Sequence, residues 1–374
     1  MSDSNPHIAF FLGSFGGSGI GRIATHSFVR AGVGIDLVLS RGESPHLWQM
    51  PTETRIVGLK QPRLSTSLSG LVKYLRQGCR LVLAADHYLN EIALLAGRIA
   101  EVPTKVAVAK HNQLSKITGN ASKLKAQLVP LFARFLYLWA DGIVAVLQGV
   151  ADHLDRAASL SLASIQTIYN PVITPEILAS AQESVDHPWF NTQDVPEILG
   201  VGRLEAQKDF PNLIRASTKV RQARFVILGW GFDRPQLEAL VQALGLQEDL
   251  DLPGYAQNSY ACTPRSTVFV LSSAWEGLPT VLIEAMALGK PVVSTDCESG
   301  PAEILAGGRY GYLTPVGNSD AGAEAISQVL AGKHKAVDSS WLEQFNLEAA
   351  TAQYLKALGI QPFPASSESQ RISL

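Results

Sequence analysis

Cysteine is nearly missing from this 374-residue chain: Cys79, Cys262 and Cys297 are far apart and odd in number. That excludes a disulfide framework and a cysteine-built zinc site, and it points to a reducing compartment. Long apolar runs are also missing; none reaches the roughly 18 residues of a membrane helix. The opening MSDSNPHIAFFLGSF has no basic stretch ahead of its apolar run, so it reads as a first strand rather than a secretory leader. A cytoplasmic protein is expected. Charge is sparse, at 17% of residues with a net −2, which leaves nucleic-acid binding little electrostatic support. What is abundant is apolar: 46% of residues, enough for large cores in a chain long enough for two domains.

The small net charge hides an asymmetry. Up to Val172 there are 17 basic and 10 acidic residues, and beyond it 14 basic and 23 acidic. A basic first half suits anionic headgroups or a phosphorylated acceptor; drift between two halves is the plain alternative.

His7 to Leu12 reads as an apolar strand running into the glycine-rich GSFGGSGIGR, followed by a helix and a second strand, Ile35 to Ser40. This is the opening of a doubly wound α/β domain. A dinucleotide fingerprint fails on detail, because Arg22 stands where the third glycine belongs. The loop still offers backbone amides to an anion. Later, a strand through VPTKVAVAK ends on Lys110, His111 and Asn112, and polar residues at a strand's carboxyl end are where such folds place ligands. Lys123 to Trp139 is basic, aromatic and helix-like, and reads as a core helix or as a membrane-interface contact through Phe132, Phe135 and Trp139. Asn170-Pro171 is a turn signal and the expected boundary, with domains at 1–172 and 173–358 and a Pro/Ser-rich, disordered tail at 359–374.

The second half repeats the pattern. PEILGVGRLEAQKDF is a strand, a loop and a helix start, with Arg203 and Lys208 in the loop. Two cations there suit a diphosphate, with charge-assisted bonds of roughly 1.5–3 kcal/mol each. RFVILGWGF runs a strand into Gly229, and DLPGY and TVFVLSS read as further strands. Asp249 and Asp251 have the spacing of a metal-binding pair, but a turn between helix and strand favours solvated aspartates.

The densest stretch is 271–305, LSSAWEGLPTVLIEAMALGKPVVSTDCESGPAEIL. Glu276 and Glu284 flank seven residues. A helix is predicted from Thr280 to Leu288, stopped by Gly289-Lys290-Pro291 and followed by a buried strand. The backbone around Gly277, Leu278, Pro279 and Thr280 then faces an anion at the helix start. The spacing alone leaves two readings: a cap with a solvated face residue, or a site for a ligand carrying phosphate and hydroxyls.

Taken in order, FGGSGIGR, KHN at 110–112, ADGIVAVLQGVADHL, IYNPV, VGRLEAQKDF, ILGWGFDR, LPGYAQN and EGLPTVLIE resemble the retaining glycosyltransferases of family 4, over about residues 8 to 358. VVSTDCESGPAEIL is especially similar to the branch that builds bacterial lipid-linked and cell-surface glycans. The resemblance implies the GT-B fold, an α/β architecture of two Rossmann-like domains facing across a cleft. It implies a nucleotide-sugar donor, most often UDP-linked, a glycan or lipid-linked acceptor, and no metal or other cofactor. By resemblance Arg203 and Lys208 meet the diphosphate, and Glu284 meets the ribose. Glu276 and the Gly277–Thr280 backbone hold the sugar and its phosphate. Gly229, Gly254 and Tyr255 lie on the donor side, the last two near the base. Gly17 approaches the diphosphate from the first domain; His111 touches the sugar, and Gly16, Ser18, Gly19, Arg22, Lys110 and Asn112 are acceptor-side. Catalytic roles fall to Glu276, His111, Arg203 and Lys208.

Leu147, Glu298, Lys110 and Tyr255 depart from the family's usual residues, and the first three bear on acceptor or sugar preference. The expected activity is transfer of a hexosyl or N-acetylhexosaminyl group to a hydroxyl with retention, at a front face where the leaving phosphate takes the acceptor's proton. Peripheral contact of the first domain with a membrane's inner face goes with it. An epimerase or phosphorylase on the same fold, or a non-catalytic nucleotide-sugar binder, is the alternative.

Overall fold

The structure, a computed structural model, describes residues 7–13, 28–29, 31–41, 47, 50–61, 66–79, 81–85, 87–110, 134–158, 164–192 and 195–360. The chain forms two compact units, one made of the chain up to Pro171 together with the segment from Leu347, the other of Val172–Asn346.

In the first unit seven strands form one parallel sheet: β1 His7–Leu12, β2 Gly34–Leu39, β3 Arg55–Gly58, β4 Leu81–Ala84, β5 Lys105–Lys110, β6 Gly142–Ala145 and β7 Ile165–Thr167, in the order β3-β2-β1-β4-β5-β6-β7. The inner strands read as nearly unbroken apolar runs, HIAFFL and LVLA among them, because helices cover both faces of a parallel sheet. Helices α1 Ser67–Leu75, α2 His87–Ala100 and α3 Gln148–Ala158 belong to this unit. One buried carboxylate interrupts its apolar interior. Asp36 on β2 accepts hydrogen bonds from Arg55 Nε at 2.7 Å, the Tyr74 hydroxyl at 2.5 Å and His7 Nε2 at 2.8 Å. Burial pushes its carboxyl up, but these three partners together hold it below the ordinary carboxylate range.

The second unit carries β8 Glu197–Val201, β9 Arg224–Leu228, β10 Leu250–Gly254, β11 Val268–Leu271, β12 Val292–Thr295 and β13 Tyr312–Thr314, all parallel, in the order β10-β9-β8-β11-β12-β13. Around it lie α4 Phe210–Ser217, α5 Arg234–Ala243, α6 Thr280–Ala287 and α7 Ser319–Leu330. The predicted helix of the densest stretch is α6. It buries Leu282, Ile283, Ala285 and Met286 on one face and stops in a Schellman turn, with Lys290 N–H donating to Ala285 O and Gly289 N–H to Met286 O. Gly289 takes φ +73 there, a left-handed conformation that suits glycine. Asp251, one of the two candidate metal aspartates, instead accepts a 3.0 Å hydrogen bond from His187 Nε2.

The last helix, α8 Leu347–Ala357, corrects the expected domain limits. The expected boundary places residues 347–358 in the second domain, yet Tyr354, Leu355 and Leu358 are buried in the first unit's core with Ile8, Phe10 and Phe28. Phe28 and Tyr354 meet edge to face at 6.0 Å. Sequence distance hid this pairing, since nothing local to α8 says which sheet its apolar face covers. The expected irregular tail lies outside the described residues from 361 on.

Candidate active site

In an open parallel sheet, ligands bind beyond the carboxyl ends of the strands where the strand order reverses. In the second unit that point is between β8 and β11. Val201 ends β8 and leads to Gly202 and Arg203; Leu271 ends β11 and leads to Ser272 through Glu276. The two loops that the sequence singled out are therefore neighbours.

They are tied together by several bonds. Ala274 N–H donates to Gln207 O at 2.8 Å, and Ser272 Oγ donates to Lys208 O at 2.7 Å. Gln207 Nε2 donates to Trp275 O and, at 3.4 Å, to Glu276 Oε2. At the centre Lys208 Nζ lies 2.6 Å from Glu276 Oε1, with side chains 14% and 6% exposed. Ser273 Oγ donates to the same Oε1 at 2.6 Å. A buried carboxylate with an ammonium and a hydroxyl on one oxygen is held in a fixed rotamer. Lys208 retains further N–H donors for an anion. Just after it, Asp209 adopts φ +42, uncommon for a residue other than glycine, which turns the 206–208 segment sharply into α4. Such strain collects at functional loops.

The remaining candidates of this unit sit around the pair. Arg203 is exposed and paired with Glu205 at 3.1 Å rather than with the Lys208–Glu276 centre. Gly277, Leu278 and Pro279 form the turn into α6, whose start has no side-chain cap, and Glu284 lies half-buried in its second turn. Gly229 follows β9, and Gly254 and Tyr255 end and follow β10, on the same edge of the sheet. Cys297, beyond β12, is buried; burial first and the nearby Glu276 carboxylate second push its thiol up to about 11. Gln207, Ser272 and Ser273 were missed by sequence reasoning. The signal was available: polar residues directly beyond a buried strand, and one directly before Lys208.

Of the first-unit candidates, Gly16, Gly17, Ser18, Gly19, Arg22, His111 and Asn112 lie outside the described residues. Lys110 is the last residue of β5, at the strand's carboxyl end as expected. A cavity of about 400 Å³ in this unit opens at the opposite ends of β5, β6 and β7, lined by Tyr137, Leu138, Asp141 and Gln166 among others. Its one carboxylate, Asp141, is engaged by Val106 N–H at 2.8 Å. Among the described residues, no group of three or more His, Cys, Asp or Glu side chains is arranged to hold a metal.

Residues 183–340, nearly all of the second unit, match the family model described as glycosyl transferases group 1. The lipopolysaccharide core biosynthesis glycosyltransferase LpsE of Rhizobium meliloti is 30% identical over 59% of this chain and 65% of its own length. An N-acetylgalactosaminyltransferase of Campylobacter jejuni, acting on a diphospho-undecaprenol-linked sugar by its name, is 31% identical over 52% of each chain. The chain thus spans about half to two thirds of the length of these curated relatives. Among solved structures, Anabaena HepE in complex with UDP superposes with a TM-score of 0.76 at 17% identity, covering 94% of this chain and 99% of that one. The lipopolysaccharide outer core galactosyltransferase WaaB gives 0.73 at 20%, with the same coverage. At these identities the likeness speaks for the fold, which is GT-B.

Proposed function

Starting from a group 1 glycosyl transferase domain over residues 183–340, we propose that the protein transfers a hexosyl or N-acetylhexosaminyl group from a nucleotide-sugar to a hydroxyl of a cell-surface glycan or its lipid-linked precursor. The observation that carries this reading is the buried Lys208–Glu276 pair at the switch point of the second sheet. Lys208 and Arg203 meet the donor diphosphate and stabilise the charge that grows on it as the glycosidic bond breaks. Glu276, fixed by Ser273 and Lys208, receives sugar hydroxyls, and Glu284 those of the ribose. The donor is UDP-linked and no resident metal is needed, since two side-chain cations and the start of α6 supply the positive field.

Transfer proceeds with retention. The bond from the anomeric carbon to the phosphate oxygen breaks, the bond to the acceptor oxygen forms on the same face, and the acceptor's proton passes to the leaving phosphate. His111 contributes on the acceptor side. Acceptor-dependent release of UDP from UDP-sugars tests this reading, and Lys208→Ala is the variant that should lose it. Phosphate-dependent release of a sugar phosphate, or epimerisation without acceptor, would favour the alternatives instead.

The first unit meets the membrane that holds the acceptor. Phe135, Leu138 and Trp139 are 58%, 68% and 41% exposed, and the Arg98 guanidinium stands 5.2 Å over the Trp139 ring. Apolar rings beside a cation suit an anionic lipid interface. No helix among the described residues is long and apolar enough to cross a membrane, so the contact proposed is peripheral.

A further inference from the structure

Three aromatic side chains stand bare on the part of the ligand edge that Lys208 and Glu276 leave free. Trp230 is 64% exposed, Phe232 78% and Tyr255 78%. Single exposed apolar residues are ordinary, but these follow adjacent strands, and Trp230 and Phe232 touch, their rings tilted at 5.8 Å.

The loops that carry them are clamped. Gly229 N–H donates to Gly254 O at 2.8 Å and Leu204 N–H to Trp230 O at 3.0 Å, while Arg234 Nη2 donates to Leu252 O at 2.7 Å. A Cβ at Gly229 would lie 1.8 Å from Gly202 O, so the turn before Trp230 admits no side chain. Backbone held this tightly fixes the points on the sheet edge from which the rings project.

Across the sheet order β10-β9-β8-β11, the carboxyl edge presents Tyr255, then Trp230 and Phe232, then Arg203, then the Lys208–Glu276 pair. Three interstrand steps span about 14 Å. Flat apolar faces at one end and cations at the other match a nucleoside diphosphate, with the base at the aromatic end.

We propose that Trp230, with Phe232 beside it, is the stacking platform for the donor's nucleobase. This rests on the donor-site reading above and adds to it the residue that grips the base. Stacking on an exposed ring holds a base by its face, which every base has, so it adds affinity more than base selectivity.

Isothermal titration of the full chain with UDP and with inorganic pyrophosphate tests the platform. Trp230→Ala should weaken UDP at least about fivefold and leave pyrophosphate unchanged, and Trp230→Phe should keep most of the UDP affinity. UDP should quench tryptophan fluorescence in the wild type and much less in Trp230→Phe. Equal UDP affinity in wild type and Trp230→Ala overturns the platform while leaving the donor site standing. An equal loss of UDP and pyrophosphate also overturns it, since that marks a collapsed loop. Wild-type protein that binds neither overturns the donor-site reading and the platform with it.

Discussion

Lys208 Nζ lies 2.6 Å from Glu276 Oε1, a contact between residues 68 positions apart that joins the loops after β8 and β11. With both side chains nearly buried, the pair is structural as well as chemical. Removing one partner leaves the other charged and desolvated, which costs about 3–5 kcal/mol. Lys208→Ala should therefore lose about 3 kcal/mol in urea unfolding of the second unit as well as its turnover. The double variant Lys208→Met with Glu276→Gln should regain most of that stability and none of the turnover. Single variants as stable as the wild type would mean that the pair is solvated.

A second prediction concerns acid. Asp36 has its carboxyl pKa lowered in the folded state, because the bonds from Arg55, Tyr74 and His7 outweigh its burial. Its contribution is complete above the unfolded value near pH 4 and is lost as pH falls through the lower folded value. Asp36→Asn should cost about 3 kcal/mol at pH 7, and the gap from wild type should narrow below about pH 4. Paired urea melts at pH 7 and pH 3 measure it; a constant gap would contradict the assignment.

Thiol reactivity offers a third check. Burial pushes Cys262 and Cys297 up to about 11, so at pH 8 only about one such thiol in a thousand is ionised. Ellman titration of native protein should find at most one fast thiol, the half-buried Cys79, and all three cysteines after unfolding. A fast-reacting Cys297 would mean that this side chain is open to solvent rather than buried.

The exposed apolar patch of the first unit yields a fourth. Phe135→Ser with Leu138→Ser should reduce co-sedimentation with vesicles containing anionic lipid several-fold and leave UDP affinity unchanged. Equal sedimentation of variant and wild type would remove the proposed membrane contact.

Much of this site was legible because it is local. Glu276, Pro279, Glu284 and Gly289 carry a turn, a helix and its stop within fourteen residues of sequence, and the structure forms α6 there. Strand ends could be read the same way, from apolar runs breaking into glycine at Gly202 and Gly229. What stayed hidden is long-range. Nothing near Lys208 announces that its partner is Glu276, and nothing within α8 says that Tyr354 packs against Phe28. Trp230 also escaped notice. Its exposure belongs to the folded loop, where Gly229 approaches Gly202 too closely for a side chain and the next residue, Trp230, stands open.

The most direct measurement is UDP release from a panel of UDP-hexoses and UDP-N-acetylhexosamines, with and without extracted lipid-linked acceptors, for wild type and Lys208→Ala. Acceptor-dependent release with at least one donor, and loss of most of it in the variant, is the predicted result. Wild-type activity in Lys208→Ala, or sugar released only when inorganic phosphate is supplied, would contradict the account.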